Sequence, residues 1–147
     1  MTSERSASQE VAENLSAKRI FVSEYVCGGG WPAETLEPSL ALEGRAMLLA
    51  VVSDLLRVPG CKITTTWDLR LGQFPISEVG AVDEAGCDAA LRLDVHKIDS
   101  PSEALRFEEL CRSSDAALVI APEFHGILAR RTANAARHTA LLGSDVA

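Results

Sequence analysis

A β-branched and aromatic run, Arg19-Ile-Phe-Val-Ser-Glu-Tyr-Val26, breaks off at Cys27-Gly28-Gly29-Gly30, and a long apolar segment of helical period follows it. This succession constrains the fold more than any other feature. It reads as a strand entering a loop and then a helix. Ser39 suits an N-cap, and Leu40, Gly44, Met47, Leu48, Val51, Val52 and Leu55 recur at helical spacing until Pro59-Gly60 stops the helix. Cys61-Lys-Ile-Thr-Thr-Thr-Trp67 supplies a second strand, its threonines fitted to a pleated surface.

The second half repeats the alternation. Asp68–Asp88 is broken by Gly72, Pro75, Gly80 and Gly86 and reads as a loop with at most a helical turn over Ile76–Glu84. Ala89-Ala-Leu-Arg-Leu-Asp-Val95 alternates apolar and charged residues, as a strand with one wet face near a sheet edge does. A helix from Ser100-Pro101 to Ser113 leads into Asp115-Ala-Ala-Leu-Val-Ile-Ala121, which is apolar enough to be covered on both faces. A basic helix over Ile127–Arg137 and a short strand over Thr139–Leu142 complete the order βαββαβαβ. Strands joined through crossover helices predict an α/β, Rossmann-like three-layer sandwich with a mainly parallel sheet. Ligands of such sheets gather beyond the carboxyl ends of the strands. Those ends are Tyr25–Gly30, Trp67-Asp68, His96 and Pro122-Glu123.

Composition narrows the function classes. The 147 residues carry 14 basic and 21 acidic side chains, a net charge of −7, with only three lysines. Nucleic acids and anionic membranes call for clustered cations, so neither is an expected partner. The longest strictly apolar run, Ala46–Val52, is far short of the roughly 20 residues that span a bilayer. Residues 1–18 are polar enough to form a disordered or marginally helical leader, and they lack the apolar stretch of a signal peptide. A single domain over residues 19–147 and a cytoplasmic location are the expectations. Cys27, Cys61, Cys87 and Cys111 form no CxxC pair and read as sheltered free thiols.

Individual side chains leave alternatives open. Three glycines let backbone amides approach an anion, or simply make a turn; neither GxGxxG nor a Walker A sequence is present. Beside them, Cys27 could have its thiol pKa lowered by those amides. Glu24, inside a strand, needs an arginine partner or a place facing the crevice. Asp68 and Arg70 suit a local turn and ion pair as well as ligand binding, and Glu123 suits a helix cap as well. Arg130, Arg131 and Arg137 read as a solvated helix face. Spacing gives no support to a metal set built from Asp68, His96, Glu123 and His125, and no metal is expected in this chain.

Taken together, Arg19–Gly30, Ser39–Leu48, Thr66–Arg70 and Ile120–Leu128 resemble, in order and spacing, the amino-terminal part of ATP-grasp ligases, most nearly the group of tyramine–L-glutamate ligase. The similarity runs from about Arg19 to Gly143. It implies a preATP-grasp domain, the module on the substrate side of the cleft, with Glu24, Gly28, Gly29, Gly30, Glu43, Asp68 and Glu123 at or beside that cleft. In complete ligases of this superfamily ATP and Mg²⁺ activate a carboxylate as an acyl phosphate, which an amine captures. The lysines and metal-binding residues of the ATP-binding modules are not found in this chain. It is therefore expected to need those modules as partners and to be inactive alone, whether it is a truncated or a split protein. A self-standing module for a small amino acid or amine, or for protein interaction, is the alternative, and either form permits a homodimer. An exposed apolar patch would favour missing modules over independence.

Overall fold

The computed structural model describes residues 6, 18–32, 34–80 and 88–143. The expected leader therefore lies almost wholly outside the described residues, as do Cys87 and the end of the Ile76–Glu84 turn.

Among the described residues, five strands, β1 Arg19–Glu24, β2 Lys62–Asp68, β3 Leu93–Ile98, β4 Ala116–Ile120 and β5 Ala140–Leu141, form one parallel sheet in the order β3-β2-β1-β4-β5. The first strand made is thus the central one, pairing Val22 with Thr65 on one side and with Leu118 on the other. Its alternating side chains split the core in two. Ile20 and Val22 pack with Leu48, Val52, Leu56 and Ile63 beneath helix α1, Pro38–Leu56. Phe21 faces the other way and packs with Phe107, Leu110 and Ala135 of α2, Glu103–Arg112, and α3, Ile127–Ala136. The expected sandwich of helices on both sheet faces is the observed one.

Three boundaries differ from the sequence reading, each for a local reason. Helix α1 is capped by Glu37, not Ser39: the Glu37 carboxylate accepts from the Ser39 and Leu40 amides at 3.3 and 2.8 Å, with Pro38 at the first helical position. β3 begins at Leu93 rather than Ala89, because Ala89–Arg92 coils into a tight turn. That turn places the Arg92 guanidinium under the end of α1, where it donates to the carbonyls of Leu56 at 2.7 Å, Val58 at 3.0 Å and Cys61. One side chain thereby satisfies the Leu56 carbonyl that the helix end leaves open and ties the helix to the turn that follows it. Replacement of Arg92 by alanine is expected to lower stability by about 2–3 kcal/mol, read as a lower denaturant midpoint at constant slope. Finally, α2 starts at Glu103, after a separate turn at Ser100–Ser102 capped by Asp99.

β4 is inside the sheet as expected, but only Ala116 and Ala117 are buried; Leu118, Val119 and Ile120 are half-exposed. No helix among the described residues is long and apolar enough to cross a membrane.

Candidate functional site

The strand order reverses between β1 and β4, so the crevice of this sheet lies beyond Glu24 and Ile120. Instead of continuing as strand, the chain after β1 curls into one wide helical turn, Val26–Gly30. Glu24 is the anchor of that turn. Its carboxylate, 1% exposed, accepts from the Val26 amide at 3.2 Å and the Cys27 amide at 2.6 Å. Glu24 thus finds backbone amides, where an arginine partner and a place facing the crevice are the two alternatives its sequence position leaves open. It can sit there because Gly44 of α1 has no side chain: a Cβ at that position would overlap the carboxylate. Burial raises the Glu24 carboxyl above its ordinary range, and the amides and Arg131 act against that rise.

The glycines are packing positions in this arrangement. Side chains at Gly28 and Gly29 would collide with Thr66 and with Ile98, and Gly29 has φ 94°, a conformation costly for other residues. The Val26 and Cys27 amides serve Glu24 and are therefore not open to an anion. The same geometry governs Cys27. Its thiol donates to the Ala41 carbonyl at 3.2 Å, and burial followed by the charge of Glu24 pushes its pKa up rather than down. Cys61 and Cys111 are also raised by burial, the latter to about 11, so the three described thiols are poor nucleophiles at neutral pH.

Asp68 closes β2. Its carboxylate caps the following turn through the Arg70 amide at 2.8 Å and holds the Arg70 guanidinium at 2.7 Å, so the local turn and the ion pair are both present. Arg70 in turn donates to the Trp31 carbonyl at 2.8 Å, which also accepts from Ser100 at 3.2 Å. These contacts tie the segment after the glycines to the ends of β2 and β3 and wall a cleft of about 410 Å³ lined by Glu34, Asp68, Arg70, Asp99 and Ser100.

Other sequence candidates stand apart. Glu43 is exposed on α1, and Glu123 is exposed after β4, where its side chain caps no helix. His96 is not beyond a strand end but within β3, paired in register with Thr66 and 3.0 Å from Asp94. His125 follows β4 with φ 56°. Among the described residues no cluster of His, Cys, Asp or Glu has the form of a metal site.

The sequence reading missed Arg131. It is not on a solvated face: its side chain is 13% exposed, forks onto the Glu103 carboxylate and lies 3.9 Å from the Phe107 ring centroid and 5.2 Å from that of Tyr25. An arginine with Arg130 beside it and Arg137 just past the helix end gives no linear signal of burial; the acidic Glu103 at the opposing helix start is its only hint.

The comparison that decides the family covers more than half the chain: the family model of the pre ATP-grasp 3 domain matches residues 61–147. This chain belongs to that family. The match begins at the start of β2, and the β1 strand with its glycine turn precedes it. The fold is also similar to a solved structure from Archaeoglobus fulgidus described as an ATP-grasp superfamily protein, with a TM-score of 0.55 at 23% identity. That comparison covers 87% of this chain and 33% of the other, so the pre ATP-grasp domain here spans about a third of the length of the solved protein. No curated protein matches.

Proposed function

We propose that this chain is the substrate-side, amino-terminal domain of an ATP-grasp carboxylate–amine ligase of the tyramine–L-glutamate ligase kind, working with ATP-binding modules supplied by further protein. The family match over residues 61–147 carries the reading. In the complete ligase, ATP and Mg²⁺ would convert a carboxylate to an acyl phosphate that an amine then attacks. The residues of this chain do not fit the nucleotide: Glu24 occupies amides of the glycine turn, and the glycines are filled against Thr66 and Ile98. A small polar substrate is better suited to the cleft beside Arg70, which Glu34, Asp99 and Ser100 also line, while Glu24 and Asp68 hold the turns behind it. Glu43 and Glu123, being exposed, are placed to act only if another module closes over them.

The fold also carries a groove of about 250 Å³. Leu118, Val119, Leu128, Leu141 and Leu142 line it beside the short edge strand β5. We read this aliphatic surface as the place where a further module docks. Calorimetric titration tests the proposal. With Mg·ATP the chain is expected to give no binding heat up to millimolar concentration, and with L-glutamate or tyramine a saturable one. Tight nucleotide binding would overturn the assignment to the substrate side.

A further inference from the structure

The cleft of about 410 Å³ at the ends of β2 and β3 carries an unbalanced charge. Glu34, Asp68 and Asp99 bring three carboxylates to its wall, and Arg70 is the one cation among the described residues that line it. That guanidinium is already answered. Its Nε lies 3.0 and 3.1 Å from the two Asp68 oxygens, and a terminal nitrogen donates to Asp68 at 2.7 Å and to the Trp31 carbonyl at 2.8 Å. Asp68, 1% exposed, and Arg70 therefore cancel as a pair, and a carboxylate entering the cleft meets no open cation among the described residues of its wall.

What remains is negative. Among the described residues neither Glu34 nor Asp99 has a cation partner. The Ser102 hydroxyl and amide, the latter at 3.0 Å, hydrogen-bond the Asp99 carboxylate and hold it below its usual range, so it is ionised at neutral pH. Beside these charges the wall is apolar: Pro32, Pro101 and Leu69, a large aliphatic residue left 54% exposed. A cleft lined by one sign of charge concentrates the opposite ion, and an apolar wall with a few polar groups holds the body of a ligand while its charge sets the orientation. We propose that this cleft selects the amine partner of the ligation and not the acid, seating a protonated primary amine with its ammonium on Asp99 and its apolar body against Leu69. This rests on the substrate-side reading above, which supplies the two reactants. Asp99 is then a specificity-determining residue, Glu34 adds to the same field, and the acid is left to the ATP-binding modules.

Tyramine, its uncharged N-acetyl derivative and L-glutamate are the probes, titrated into the full chain and into Asp99→Asn, which can still accept from the Ser102 amide. The expected result is saturable binding of tyramine and none of L-glutamate. N-Acetyltyramine should bind about tenfold more weakly than tyramine, and tyramine about fivefold more weakly to Asp99→Asn, at unchanged melting temperature. Added salt should weaken tyramine and leave N-acetyltyramine nearly unaffected, a comparison that needs no variant. Saturable binding of L-glutamate overturns the choice of the amine and leaves the substrate-side reading standing. Equal affinity for tyramine and its N-acetyl derivative, or for tyramine in the parent chain and in Asp99→Asn, overturns the role of the charge in the same way. If neither tyramine nor L-glutamate binds the unaltered chain, both readings fall.

Discussion

Gly44→Ala is expected to destabilise the chain by about 2–4 kcal/mol, a large effect for one methyl group on a helix where alanine is ordinarily the better residue. Helix propensity alone would make the change favourable by about 1 kcal/mol. The local geometry reverses the sign. The new Cβ would overlap the Glu24 carboxylate, which is enclosed and cannot swing into solvent. Moving it would break its bonds to the Val26 and Cys27 amides and leave two buried donors without acceptors. Chemical denaturation gives the size of the loss, and a double-mutant cycle gives its cause. If the carboxylate is the obstacle, Gly44→Ala made in a Glu24→Ala background costs about 1–2 kcal/mol less than in the parent chain. Strictly additive costs would show that the clash is relieved some other way.

Arg131→Met is expected to cost about 3–5 kcal/mol, because it leaves the Glu103 carboxylate, 7% exposed on its side chain, without a counter-charge. The combined change Arg131→Met with Glu103→Leu should recover most of that loss, since two apolar side chains of similar volume can replace a buried ion pair at little cost. Thermal or urea unfolding of the two variants makes the comparison. A double variant as unstable as the single one would mean that stacking on Phe107 and Tyr25, and not the charge pair, is what Arg131 contributes.

The strong periodicities carried most of the architecture into the sequence reading. β1, α1, β2 and β4 are visible because period-2 or helical patterns run long enough to outweigh local noise, and their alternation is sufficient to predict a parallel sheet between helices. β3 was harder. The alternation over Ala89–Val95 is genuine, but Arg92 is drawn out of line to cap α1, a contact across 34 and 36 residues that no local window contains. The displacement of the strand carried His96 from an expected strand end into the strand itself. At the site, Asp68 with Arg70 was legible because both partners are close in sequence. The partners of Glu24 were not, since the fit depends on an absent side chain at Gly44, twenty positions away in another element. Arg131 was hidden by its basic neighbours.

The central place of β1 also sets a timetable. The contacts joining it to β2 span 43 residues, whereas those joining it to the start of β4 span 96. At ordinary elongation rates the second interval lasts on the order of ten seconds. Once β2 is made and until β4 follows, β1 can be zipped along one side only, and the ladder groups of Ile20, Phe21 and Val22 on its other side face outward as an apolar edge, the kind of edge that invites pairing with another chain. The earliest of these five strands is therefore among the last to be enclosed, and the pace of translation between β1 and β4 sets how long the nascent chain remains adhesive.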